Sequence, residues 1–203
     1  SEFLLLDRET PPDEREQLRA FTRVFETLGS GRPLTLRLAD IGGDKEIPYL
    51  KLPHEANPFL GVRGYRLAMI ADRPDLRALF ASQVAAALRA AAATGGSLRI
   101  MAPMISVRAE VDDLLALISS VRAELSARGE AAAATYPAAI GIMIEVPAAA
   151  LTVADVAAGL DFVSVGTNDL TQYAMAADRI NPALVALQDA AAPGVVALLR
   201  AVV

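Results

Sequence analysis

Asp161-Phe162-Val163-Ser164-Val165-Gly166-Thr167-Asn168-Asp169-Leu170-Thr171-Gln172 runs from a short apolar stretch straight into a polar cluster. Leu36-Arg37-Leu38-Ala39-Asp40-Ile41-Gly42-Gly43-Asp44-Lys45 does the same nearer the start of the chain. A parallel strand that delivers polar groups at its carboxyl end has this form, as around the active face of an α/β sheet or barrel. Leu34-Thr35-Leu36-Arg37-Leu38 alternates and predicts a strand ending near Asp40. Residues 98–104 predict a second, with Pro103 at its exit. Residues 139–144 are nearly all apolar, as in a strand buried on both faces, and residues 162–165 are a fourth. Phe3-Leu4-Leu5 reads as the remnant of an earlier strand.

Helical periodicity fills the intervals. Leu18, Phe21, Phe25 and Leu28 share a face over about 13–28. Leu76, Leu79, Phe80, Val84 and Leu88 share another, with Asp72 as the expected cap and Asp75 three residues later. Val111, Leu114, Leu115, Ile118 and Leu125 mark a third helix, stopped by Gly129. Residues 182–203 predict a final helix. This alternation predicts an α/β fold in one domain over 1–203, a continuous barrel with residues 41–66 as an elaborated loop. An open doubly wound sheet is the alternative.

A formal charge of −5 argues against a broad nucleic-acid footprint and leaves room for a local arginine pocket. With no cysteine, disulfides and thiolate metal sites drop out. The opening residues carry no basic leader, and charged residues or glycine interrupt every apolar run short of membrane-spanning length. The expected location is the cytoplasm, without membrane insertion. Alanine blocks at 90–93 and 131–134 read as inexpensive helix.

Several residues carry chemistry. Arg37 within an apolar strand needs an anionic partner, either Asp40 or a glutamate, or a substrate phosphate. Gly42 and Gly43 form either an ordinary turn or a loop that approaches a ligand. Arg63 and Arg66, after Asn57-Pro58-Phe59-Leu60-Gly61, read by themselves as solvated loop arginines. Glu145 and Asp169 end adjacent strands, suitably placed for a hard divalent ion. The other reading of Asp169 is a helix N-terminal acid beside a Thr167 or Asn168 cap. His54, the single histidine, reads as a surface residue, and Tyr49, Tyr65 and Tyr173 as isolated phenols. Met101, Met104 and Met143 read as packing groups.

Taken together, Ser1–Arg8, Asp40-Ile41-Gly42-Gly43-Asp44-Lys45, Asn57–Arg63, Ile144–Ala149 and Gly166–Tyr173 resemble the phosphoenolpyruvate-binding domain of Enzyme I, the phosphoenolpyruvate–protein phosphotransferase of the bacterial sugar phosphotransferase system. The Gly166–Gln172 string is similar also to pyruvate phosphate dikinase and phosphoenolpyruvate synthase, whereas Asp40–Lys45 favours Enzyme I. The resemblance implies a (β/α)8 TIM-type barrel, here lacking its last two strands. It implies that Arg37, Arg63 and Arg179 hold phosphoenolpyruvate, that the Asn168 amide contacts substrate oxygens, and that Glu145 and Asp169 bind Mg²⁺. By its sequence surroundings alone Arg179 reads as a surface charge. The implied reaction moves the phosphoryl group to a histidine on a separate domain, which in turn serves a phosphocarrier protein, and releases pyruvate.

The resemblance also implies several residues before Ser1, with an arginine immediately preceding it. After Val203 it implies two strands bearing a Gly-x-Cys-Gly-Glu motif, whose cysteine is the acid for the enolate. No catalytic acid or phosphohistidine falls within the chain, so the expectation is a fragment, inactive alone, from a homodimeric protein. A synthase- or dikinase-like enzyme and a non-catalytic sensing or docking module are the competing classes.

Overall fold

The computed structural model describes residues 2–6, 8–29, 31–43 and 47–203. Four strands form one sheet in the order β1 (Leu34–Arg37), β2 (Leu98–Ala102), β3 (Ala139–Ile144), β4 (Phe162–Val165), every neighbouring pair parallel. A doubly wound sheet reverses its strand order at a switch point. This sheet does not reverse, so the open alternative gives way to a run of barrel-type βα units. Among the described residues the arc has four strands. Phe3–Leu5 do not add one, because Glu2–Leu4 form a 3₁₀ turn, and Leu5, just after it, is buried in the core.

Sequence period 2 sorts the side chains. Leu36, Ile100 and Ile140 stand in one register row, and Ala102 and Ile142 in another, facing the helical layer. Arg37, Met101, Gly141 and Phe162 form the row on the opposite face, followed by Met143 and Ser164. That face is only half-covered. Met143 and Ala139 are accordingly less buried than a strand enclosed on both sides requires.

The helices are α1 (Glu14–Leu28), α2 (Pro74–Thr94), α3 (Arg108–Ala127), α4 (Ala131–Ala134), α5 (Pro147–Leu151), α6 (Val153–Val156), α7 (Thr167–Ala174) and α8 (Pro193–Val202). Asp13 caps α1 by accepting from the Glu16 amide at 2.6 Å. Helix α2 starts on Pro74 rather than after an Asp72 cap, since proline at the first helical position lacks an N–H that would go unpaired there. Asp75 pairs with Arg73 instead. The alanines of α2 do more than favour helix: Ala86, Ala87, Ala90 and Ala91 are buried where α2 passes between α1 and the sheet. Residues 182–203 form a 3₁₀ turn, Pro182–Leu187, and then α8, because Pro193 cannot continue a helix through 188–192.

One interaction of α2 bears on the site. Gln83, fully buried, accepts from the Ala39 amide at 3.1 Å and so fixes the exit of β1 that delivers Asp40. No described helix is long and apolar enough to cross a membrane.

Candidate functional site

The carboxyl ends of β1, β3 and β4 open into a cleft of about 340 Å³ lined by Arg37, Asp40, Met143, Glu145, residues 165–169 and Arg179. Strand β1 ends on Arg37, β3 hands over to Glu145, and β4 runs through Gly166 into α7. Three of the four expected ligand-binding residues, Arg37, Asn168 and Arg179, therefore share one wall system with both expected metal ligands, Glu145 and Asp169.

Arg63 sits differently. It is 1% exposed and lies behind the cleft, donating to Asp169 Oδ1 at 2.9 Å, to Asp40 Oδ1 and Oδ2 at 3.1 and 3.0 Å, and to the Tyr173 hydroxyl at 3.2 Å. The solvated-arginine reading is overturned there. Burying a guanidinium is tolerable only against such partners, and the two aspartates keep it charged despite desolvation. Among the described residues its Nε has no hydrogen-bond partner. Arg66 diverges from Arg63 and reaches Glu110 and Ser106 on the α3 side.

Arg37 has the carboxylate partners that one reading of its burial expects. It pairs with Glu2 and lies 3.6 Å from Asp40, yet it remains half-exposed on the cleft. Arg179, read from its surroundings as a surface charge, donates to Asp169 Oδ2 at 3.1 Å, while its backbone amide donates to Gln172 Oε1 at 2.8 Å. Asp169 occupies the third position of α7, after a Gly166 N-cap, and neither Thr167 nor Asn168 caps the helix with its side chain. Its carboxylate is 4% exposed and held by Arg63 and Arg179. Asp169 is thus an acid in the first turn of a helix, as one reading expects, although without a Thr167 or Asn168 cap, and it is also paired with two arginines.

The guanidinium carbons of Arg63 and Arg179 lie 5.7 and 5.6 Å from the centre of the Phe59 ring. The Asn57–Gly61 stretch thus supplies an aromatic platform that periodicity could not reveal. Tyr173 is a second residue the sequence left as an isolated phenol. It accepts from Arg63 and donates to the Phe59 carbonyl, tying α7 to that platform. Gly42 and Gly43 have φ of +97° and +67°. A Cβ on Gly42 would stand 2.8 Å from Arg63 Cβ, so this turn lies against the site rather than being an ordinary bend. Asp44 and Lys45 lie outside the described residues. His54 is exposed, as expected, and faces a separate hollow of about 240 Å³.

Glu145 is 1% exposed and makes no ion pair among the described residues; its Oε1 accepts from the Met104 amide at 2.7 Å. Met104 is therefore more than a packing group, and it holds φ +60° to present that amide. Burial raises the Glu145 pKa to about 7; the Met104 bond and Arg37 oppose the rise, and Asp40 and Asp169 add to it. The sign follows. The unfolded carboxyl releases its proton near 4.3, so between that value and 7 the folded chain holds more protons, and stability falls as pH rises. In chelator, wild type should lose about 2 kcal/mol relative to Glu145→Gln between pH 5.5 and 8. Equal melting profiles for the two proteins across that range would contradict it.

A buried carboxyl without a cation is a group that a divalent ion would deprotonate and satisfy. Among the described residues no three acidic or histidine side chains converge tightly enough to enclose an ion. Glu145 and Asp169 would supply two ligands and leave positions for water and substrate oxygens, which suits Mg²⁺. Charge points the same way. Arg37, Arg63 and Arg179 face Glu2, Asp40, Glu145 and Asp169, so the described site has no surplus positive charge with which to hold a polyanion unaided. A Cβ on Gly166 would lie 2.6 Å from Glu145 Oε2 and 3.0 Å from Met143 Sδ. Gly166→Ala should displace that carboxylate and weaken divalent-ion binding about tenfold, at a cost of about 1–3 kcal/mol in stability; ion titration and thermal melts check both.

These features define a parallel α/β arc with a mixed cation-and-anion cleft at the carboxyl ends of its strands. All of residues 1–203 match the family described as PEP-utilising enzyme, PEP-binding domain, and the chain belongs to that family. It is 43% identical over 203 residues to a multiphosphoryl transfer protein of Rhodobacter capsulatus, covering 100% of this chain and 23% of that one. It is 46% identical over 204 residues to a phosphoenolpyruvate-protein phosphotransferase of Haloferax volcanii (100% and 35%) and 42% identical over 203 residues to the same-named protein of Haemophilus influenzae (100% and 34%). The chain thus spans about a quarter to a third of the length of these relatives.

Proposed function

We propose that this chain is the substrate-binding part of a phosphoenolpyruvate–protein phosphotransferase, taking phosphoenolpyruvate together with Mg²⁺ in the cleft at the carboxyl ends of β1, β3 and β4. The observation that carries the reading is the meeting of Arg37, Arg179 and Asn168 with Glu145 and Asp169 in one cleft. Arg37 and Arg179 grip phosphate oxygens through their planar donor forks. The exposed Asn168 amide donates to substrate oxygens. Arg63, from behind, holds Asp169 and Asp40 in place. Glu145 and Asp169 hold the ion, which when bound supplies positive charge against the phosphate and the enolate that develops as it leaves.

In the complete protein the phosphorus–oxygen bond of the enol phosphate breaks as a phosphorus–nitrogen bond forms to a histidine on another domain. Protonation of the enolate carbon then gives pyruvate. A phosphocarrier protein is the onward acceptor, and the working form is a cytoplasmic homodimer.

Calorimetric titration with phosphoenolpyruvate tests the binding step. Saturable binding is expected with Mg²⁺, at least tenfold weaker in chelator. Absence of binding with Mg²⁺, in this chain and in one extended at both ends to the relatives' length, would overturn the reading.

A further inference from the structure

The cluster that secures the site has a foundation outside it. Arg63 immediately precedes the 3₁₀ turn Gly64–Met69, and three successive residues of that turn are fastened to the loop before α3 or to α3 itself. Gly64 (φ +60°) lies so close to Met104 that a Cβ would meet its side chain at 2.8 Å, and Met104 is the residue whose amide binds Glu145. Tyr65 is fully buried, its ring edge-on to Phe80 at 5.8 Å, and its hydroxyl donates to Asp113 Oδ2 at 2.7 Å. Arg66 donates to Glu110 at 3.2 Å, and Glu110 in turn accepts from the amides of Ser106 and Val107. Arg77 of α2 donates to both oxygens of Asp113, at 3.1 and 3.0 Å, and to the Ala68 carbonyl at the far end of the turn.

A buried phenol must find an acceptor, but this one need not have been an acid on the next helix. The choice joins α2, α3 and the turn at one carboxylate, through a residue two positions after Arg63. We propose that the Tyr65–Asp113–Arg77 unit is a positioning device for Arg63. It fixes the register of the turn against α3, so that Arg63 meets Asp40 and Asp169 while Met104 meets Glu145. Tyr65 and Asp113 touch no substrate; they set both halves of the ion- and phosphate-holding cleft through the backbone. The inference deepens the phosphoenolpyruvate reading and rests on it for its ligand. Misplacement by about 1 Å of a group that orients reacting partners costs on the order of 100-fold, and loss of an outer-layer partner of metal ligands about 10- to 100-fold.

The test is Tyr65→Phe, which keeps the ring against Phe80 and removes only the hydroxyl, with Asp113→Asn as the second variant. Arg89→Ala, which breaks a surface ion pair with Glu14 and Glu130 far from the turn, is the control for general destabilisation. Each is titrated with phosphoenolpyruvate and Mg²⁺, and the guanidinium N–H signals of Arg63 are followed by ¹⁵N NMR. Both test variants should bind the ligand about tenfold or more weakly and show broadened, faster-exchanging Arg63 signals, whereas Arg89→Ala changes neither. Unchanged affinity and Arg63 signals in both test variants, or equal changes in Arg89→Ala, would overturn the proposal. If wild type itself binds no phosphoenolpyruvate, the functional reading fails, and the Arg63 signals alone decide the positioning role.

Discussion

Arg63→Met is expected to lower the melting temperature by roughly 10 °C. The guanidinium is almost wholly buried and satisfies Asp40 and Asp169, which are themselves 2% and 4% exposed. Removing one partner of a buried pair leaves uncompensated charge in a poor solvent, at a cost of about 3–5 kcal/mol. A domain of this size loses about 2–4 °C per kcal/mol. Arg63→Lys keeps the charge but not the planar fork that spans two carboxylates, so it should recover only part of the loss. Adding Asp40→Asn to Arg63→Met should recover part of the loss, because it removes one of the two buried acids that Arg63 faces. A melting point for Arg63→Met within about 2 °C of wild type would show that the cluster contributes little to the fold.

Asp169→Asn should change phosphoenolpyruvate binding in opposite directions with and without the ion. The carboxylate accepts from both Arg63 and Arg179, and charge-assisted bonds of this kind are each worth about 1.5–3 kcal/mol. In chelator the neutral amide releases Arg179 and removes one of the acids that repel the ligand, so affinity should rise severalfold. With Mg²⁺ present the same change deletes a proposed ion ligand, and affinity should fall about 30- to 100-fold. Titrations in the two conditions give the two signs. A decrease of equal size in both would mean that Asp169 serves arginine placement alone.

What could be read in the chain beforehand divides along physical lines. The four strands and the first three helices were legible because burial imposes period 2 and period 3.6 on their side chains, as in Leu34-Thr35-Leu36-Arg37 and in Leu76, Leu79, Phe80 and Val84. Glu145 and Asp169 were legible because charges ending apolar strands are costly without a purpose. Arg179 and Arg63 were not, from their neighbours: each lies in a loop, and its partners are 10 and 106 positions away in Asp169. Only the resemblance of whole motifs assigned them a place. Phe59 and the Tyr65–Asp113 contact escaped for the same reason, since an aromatic residue outside a long periodic element carries no pattern that tells an anchor from filler; Tyr173, on the short helix α7, escaped because its partners Arg63 and Phe59 lie far back in the chain. Phe3–Leu5 misled in the other direction. Three apolar residues suffice for a strand or for a 3₁₀ turn that leads one leucine into the core, and only the packing of Leu5 decides between them.

On the proposed function, a divalent ion and the substrate phosphate occupy the same cleft. With Mn²⁺ in place of Mg²⁺, the ³¹P resonance of phosphoenolpyruvate reports their proximity directly, because paramagnetic relaxation falls off steeply with distance. Strong ³¹P broadening in the wild-type complex, lost in Glu145→Gln and Asp169→Asn, is the result expected. Phosphoenolpyruvate bound without that broadening, or broadening that survives both substitutions, would contradict the site described for this chain.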